Sequence, residues 1–137
     1  MAGCASLSGT PQHYAVCPYE QAFEAAAEAV KDRSIVKQDK ASGQIHTAWL
    51  EIPMPGRKFG AFRREIPDSR DRSRILVDVK RMDDVTQVTF HEEREAWAFR
   101  GGSRMFGWVP TDPSAEVHRE FQTRLDAKLK ERGCHTS

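Results

Sequence analysis

A chain of 137 residues has room for one domain with one modest core. With 21 basic against 20 acidic side chains and a net charge of +1, no global field draws it to nucleic acid or to an anionic membrane. Hydrophobic content of 39% and 9% aromatics fit a folded globular domain, and no apolar run approaches the roughly 18 residues of a membrane span.

Residues 1–16 mix glycine, serine, threonine and proline without period, so 1–17 read as a flexible tether and 18–133 as a single domain. The first helix is expected from Pro18, tolerated in a first turn because its missing N–H would go unpaired there. Ala22, Phe23, Ala26, Ala27 and Val30 then repeat at helical period, and the small alanines allow close approach to a sheet. Lys31 and Arg33 suit the negative end of the helix dipole.

A short strand is expected over residues 35–38, followed by a turn at 39–43 and a second strand over 44–51. In that strand Ile45, Thr47 and Trp49 alternate with Gln44, His46 and Ala48, and Pro53 and Pro55 stop it. Residues 52–72 are rich in glycine and proline at their ends and read as a long connection with a weak edge strand near 58–63. Residues 74–81 give the strongest strand pattern, with Ile75, Val77 and Val79 on one side. Residues 81–84 turn the chain, and residues 85–93 return antiparallel with Val88 and Phe90 facing one way. Arg100-Gly101-Gly102-Ser103 predicts a tight hairpin, which would set Trp97 opposite Phe106.

The last helix is expected from Asp112 as cap and Pro113 as first residue to a stop at Gly133, with Val117, Phe121, Leu125 and Leu129 as its apolar stripe. Lys128, Lys130 and Arg132 fill its final turns. The order is helix, several strands, helix. That predicts an α+β fold: an antiparallel sheet of about four to six strands with an N-terminal and a C-terminal helix packed on one face. If the helices run antiparallel, Cys17 and Cys134 meet and can form a disulfide, closing almost the whole chain.

Two resemblances bear on the cellular address. The amino end, Met1-Ala2-Gly3-Cys4-Ala5, resembles the junction of bacterial lipoproteins, where small residues precede an invariant cysteine that becomes lipidated. It implies Cys4 as a lipidation site and membrane attachment through a lipid anchor, at the periplasmic face of the outer membrane. The apolar signal segment does not precede Cys4 here, so the sequence reads as a mature form. A cytoplasmic chain with an incidental Cys4 is the alternative. The stretch Gly43-Gln44-Ile45-His46-Thr47-Ala48-Trp49, set in the helix–strands–helix layout, is similar to the helix-grip domains of the outer-membrane lipoprotein family of BamC. That likeness implies a protein-binding periplasmic module without catalytic residues.

Chemistry-bearing patterns are sparse. The five histidines are scattered, and His91-Glu92-Glu93-Arg94-Glu95 lacks the second histidine that a zinc helix needs, so no metal or cofactor is expected. No serine sits in a nucleophile elbow, and the glycines do not match phosphate-loop spacing. Two surfaces stand out as partner-binding. One is the basic stretch Arg57, Lys58, Arg63, Arg64, Arg70, Arg72 and Arg74, interleaved with Phe59 and Phe62, although with Glu65, Asp68 and Asp71 among them it reads slightly more readily as a solvated hairpin with internal ion pairs. The other is Trp97, Phe99, Phe106 and Trp108, a cluster that reads as core more readily than as interface.

The expected function is therefore a non-enzymatic envelope lipoprotein domain that binds another periplasmic or outer-membrane protein, and not nucleic acid. A small-ligand or lipid-binding module, with a cavity lined by Trp49, Phe90 and Trp97 between helix and sheet, is the second reading. A hydrolase with an unrecognised site is the third.

Overall fold

The computed structural model describes residues 12–54, 58–59, 64–65, 70–99 and 106–136. Along the chain run β1 (Gln12–Val16), α1 (Tyr19–Ala29), a short 3-10 turn (Lys31–Arg33), β2 (Ile35–Asp39), β3 (Gln44–Thr47) and β4 (Leu50–Pro53). Then follow β5 (Lys58–Phe59), β6 (Arg64–Glu65), β7 (Arg70–Met82), β8 (Val85–Phe99), β9 (Phe106–Thr111), α2 (Ala115–Glu131) and β10 (His135–Thr136). The fold is α+β, with one open antiparallel sheet and one helix near each end of the chain.

The long β7–β8 hairpin is the spine of the sheet. β3 and β4 share its outer flank on β7, pairing with residues 76–78 and 70–73 in turn. On the other flank β1 and β9 divide β8 in the same way. Among the described residues the sheet is six strands across, in the order β10, β1, β8, β7, β3, β2.

Alternation along the spine decides which face is core. Ile75, Val77 and Val79 on β7, Val88 and Phe90 on β8 and Ile45 on β3 all point to the helices and are buried. Every alanine of α1 is buried, as is Phe23, because the helix packs against both the sheet and α2 and the methyls let it approach closely. On α2 the stripe is Phe121, Leu125 and Leu129, with Val117 partly buried against the core. Phe121 tilts onto Phe90 at 4.3 Å between centroids. Fully burying side chains of this size stabilises the fold by about 1.5–3 kcal/mol each.

The two helices run in opposite directions and are clasped by arginines. Arg124 donates to the Ala29 carbonyl at 3.1 Å, at the end of α1, and to Asp32 at 2.8 Å. Arg132 reaches Glu24 at 3.0 Å and Glu28 at 2.9 Å. At the other end Cys17 and Cys134 are joined by a disulfide, as the expected helix packing implied.

Several boundaries differ from the sequence reading. Residues 12–16, expected in the tether, form β1, whose Ala15 is fully buried; residues 135–136 add β10 beyond the expected end of the domain. α2 is capped by Ser114, whose hydroxyl accepts from the Val117 N–H at 3.2 Å, instead of by Asp112. The strand expected over 44–51 breaks at Ala48 and Trp49, so Trp49 leaves the side that Ile45 and Thr47 share. The carboxyl end of the expected connection, from Arg70, belongs to β7. The β8–β9 register pairs Phe99 with Phe106 and Trp97 with Trp108, so Trp97 does not face Phe106.

Candidate functional site

On β7 the residues that alternate with the core positions are Arg70, Arg72 and Arg74, and they point away from both helices. Their neighbours on β8 are acidic. Arg72 Nε donates to Glu95 Oε1 at 2.7 Å, and Arg74 Nε donates to Glu93 Oε1 at 2.7 Å. Arg70 pairs with Glu51 of β4 at 3.1 Å.

Aromatic rings fill the spaces between these rungs. Trp97 and Trp108 meet edge to face at 5.2 Å. The Arg70 guanidinium lies 4.8 Å from the centre of Trp97 and 5.4 Å from Trp108. Arg72 sits 4.5 Å from Trp108 and 4.3 Å from Trp49, and Arg74 is 4.6 Å from Trp49. All three tryptophans of the chain therefore share one face of the sheet, interleaved with three guanidiniums.

Each ion pair here is partly exposed and contributes at most about 1 kcal/mol. Each cation–π contact adds about 0.5–2 kcal/mol. Their main consequence is order: the rings are held in place by the guanidiniums between them. At one end of the patch Phe106 remains 36% exposed.

The sequence-named residues divide as follows. Trp97, Phe106 and Trp108 come together on β8 and β9. Lys58 and Arg64 lie on the small β5–β6 ladder, paired with Glu65 and Phe59 respectively. Arg57, Arg63 and Cys4 lie outside the described residues. Arg70, Arg72 and Arg74 were read as part of a basic connection, whereas they stand in the sheet with acidic partners. Trp49 was expected in a cavity with Phe90 and Trp97. Phe90 faces the helices while Trp49 and Trp97 stand on the opposite face, so the three line no common space. The readable signal for the patch was Arg-x-Arg-x-Arg at 70–74 against Glu93-x-Glu95, which an antiparallel hairpin brings into register.

A second polar group lies on the helix side. Arg94 Nε donates to Asp71 at 2.7 Å and its Nη1 donates to Glu92 at 2.8 Å. Glu92 also accepts from the Ser73 hydroxyl and, at 2.7 Å, from the Ser114 backbone N–H. Arg33 donates to Ser73 at 2.8 Å. Burial works against the Arg94 charge, but the bond to Asp71 and the charge of Glu92 outweigh it, so its pKa rises. Burial pushes the Arg33 pKa down. Both Glu92 oxygens are occupied, which suits a structural clamp between β8 and the start of α2.

Among the described residues, the crevice between α2 and the sheet near Phe90 and Val117 holds only about 40 Å³. Small-molecule pockets start near roughly 300 Å³. Among the same residues no three His, Cys, Asp or Glu side chains gather to hold a metal ion, and no helix is long and apolar enough to cross a membrane. In comparisons with known proteins, no family model matches the chain and no curated protein matches it. Fold and patch define the chain as an α+β domain with an aromatic–arginine sheet face.

Proposed function

We propose that the chain is a non-enzymatic module of the bacterial envelope that holds another envelope protein against the helix-free face of its sheet. The observation that carries this reading is the gathering of Trp49, Trp97 and Trp108 with Arg70, Arg72 and Arg74 on that face. Tryptophan and arginine are the residues most enriched where interfaces concentrate their binding energy. The three arginines are balanced by Glu51, Glu93 and Glu95, so shape and ring contact, more than bulk charge, select the partner.

The Cys17–Cys134 disulfide supports an oxidising compartment, since cytosolic thiols are kept reduced. The lipoprotein-like junction at Cys4 and the BamC-like stretch at residues 43–49 point to the same address. A lipid on Cys4 would place the domain at the periplasmic face of the outer membrane and leave the sheet free to dock.

The test is capture from native envelope with purified chain as bait. One stoichiometric partner is expected with the wild type, lost with Trp97→Ala or Trp108→Ala while the circular dichroism of each variant stays that of a folded domain. Binding that survives both substitutions would overturn the assignment of this face. Fractionation of the gene product with Cys4→Ser as control tests the address: recovery in the soluble fraction whether or not Cys4 is present would remove the anchor.

A further inference from the structure

The tryptophan face is one-sided in its hydrogen bonding. A tryptophan side chain carries a donor and no acceptor, and an arginine carries donors only. Among the described residues, none of the indole N–H groups of Trp49, Trp97 and Trp108 bonds to another group, and none of them is shut away from water. The carboxylates that stand between the rings, Glu51, Glu93 and Glu95, are each paired with an arginine. Three donors are left over.

The rings add to the same polarity. Arg72 lies 4.3 Å from the centre of Trp49 and 4.5 Å from that of Trp108, and Arg70 lies 4.8 Å from Trp97. A ring face that already holds a guanidinium is closed to a second cation, and ring edges carry the positive part of the aromatic quadrupole. Because cations and carboxylates are matched in number, an anion gains little from the face as a whole. The ligand that fits is uncharged, rich in acceptors and poor in donors.

Proline meets all three conditions. Its carbonyl accepts, it has no N–H to donate, and it carries no charge. A run of prolines holds the polyproline helix, whose backbone carbonyls are free of internal bonds and whose shape is set before binding. An ordinary strand would bring an N–H with each carbonyl to a face whose carboxylates are already paired, and a buried unpaired donor costs about 1–3 kcal/mol. The dimensions agree. Trp97 stands beside Arg70 and Trp49 beside Arg74, about 13 Å apart along the strand, and about five residues of polyproline helix cover that length.

We propose that the partner held on this face docks through a proline-rich segment in the polyproline conformation, whose carbonyls accept from the indole N–H groups of Trp49, Trp97 and Trp108. This ligand class presupposes the docking role proposed above for the face, and adds to it the chemistry of the docked segment.

All three tryptophans of the chain stand on this face, so their indole N–H signals in NMR report on it directly. The experiment is a titration of the isotope-labelled full chain with decaproline, with a glycine–serine peptide of the same length as control. Saturable shifts of the indole signals are expected with decaproline and none with the control. Trp108→Phe keeps a ring and loses the N–H, and is expected to weaken decaproline binding about three-fold or more. The indole signals of Trp49 and Trp97 show in the same spectra that the variant is folded. No saturable shift with decaproline, equal shifts with the control peptide, or undiminished binding by Trp108→Phe overturns the proposal. Capture from native envelope tells the two failures apart. If capture still depends on Trp97 when decaproline does not bind, the docking face stands and the proline-rich ligand falls; if capture is lost as well, the face falls with it.

Discussion

The Arg94 guanidinium lies 2.7 Å from the Asp71 carboxylate across the central hairpin, and both side chains are almost shut away from water, at 10% and 3% exposure. Removing one partner of a buried pair leaves the other charge stranded. Arg94→Leu would strand Glu92 as well, and is expected to cost about 3–5 kcal/mol. Asp71→Asn keeps an acceptor for Arg94 and is expected to cost less. Urea unfolding at neutral pH measures both. A loss below about 1 kcal/mol for Arg94→Leu would mean that the carboxylates regain water and the clamp is dispensable.

The same cluster explains what the sequence hid. Alternation of Ile75, Val77 and Val79 marked the middle of β7 plainly, and the four-residue stripe from Val117 to Leu129 marked α2. The strands were expected to end at Arg74 and Glu93 because Ser73, Asp71 and Glu92 are polar at positions that face the core side. They continue because those groups satisfy one another, a fact that depends on partners far apart in sequence. β1 was missed for a related reason. Among its described side chains the deeply buried one is Ala15, and a single small side chain carries no period. The β8–β9 register could not be read from Gly101-Gly102, since the pairing seen at Phe99 and Phe106 leaves residues 100–105 between the strands. Trp49 was placed by alternation, which fails where β3 gives way to β4. The patch therefore became visible only when three strands were set side by side.

The disulfide makes a prediction about the unfolded chain. Cys17 and Cys134 are 117 residues apart, so the bond removes much of the freedom of the denatured state. Loop-entropy reasoning gives about 4–5 kcal/mol, with engineered examples falling below that. The Cys4→Ser chain is expected to show no free thiol when denatured without reductant and two after reduction. Its stability is expected to fall by a few kcal/mol when reduced, matching a Cys17→Ser, Cys134→Ser variant. Two titratable thiols in the unreduced protein would remove both the bridge and the argument for an oxidising compartment.

Acid should loosen the helix clasp in a defined range. The Glu28 carboxyl is held below its ordinary value of 4.5, first by its hydrogen bond from Arg132. Asp39 is likewise held below 3.8, by Ser42 and by the Ala41 N–H in the turn beside β3. A carboxyl whose folded value lies below its unfolded one contributes stability above the unfolded value, lost as pH falls through the folded one. Melting temperature should therefore be insensitive to these groups near neutrality and fall below the ordinary carboxylate values. Glu28→Gln should flatten that fall. A Glu28→Gln curve parallel to the wild type through the acidic range would show that the bond to Arg132 adds nothing.

Two glycines share a backbone angle and should differ sharply on substitution. Gly43 and Gly133 both have φ of +78°, a region that costs an L-residue about 1–2 kcal/mol. At Gly133, just past the end of α2, an added Cβ meets nothing within 4 Å, so Gly133→Ala should cost only that conformational term. At Gly43 the Cβ would stand 2.1 Å from the Val79 carbonyl oxygen and 2.9 Å from the Tyr19 hydroxyl. The turn would have to lift off β7, breaking the Val79 N–H bond to Gly43 and the Tyr19 bond to Lys40. Gly43→Ala is expected to cost about 3 kcal/mol or more, in the range of lost networks and backbone strain combined. Urea unfolding gives the totals. Hydrogen exchange locates the damage, since the Val79 amide should lose protection in Gly43→Ala and keep it in Gly133→Ala. Equal costs would mean that the turn rests on β7 without being fixed there.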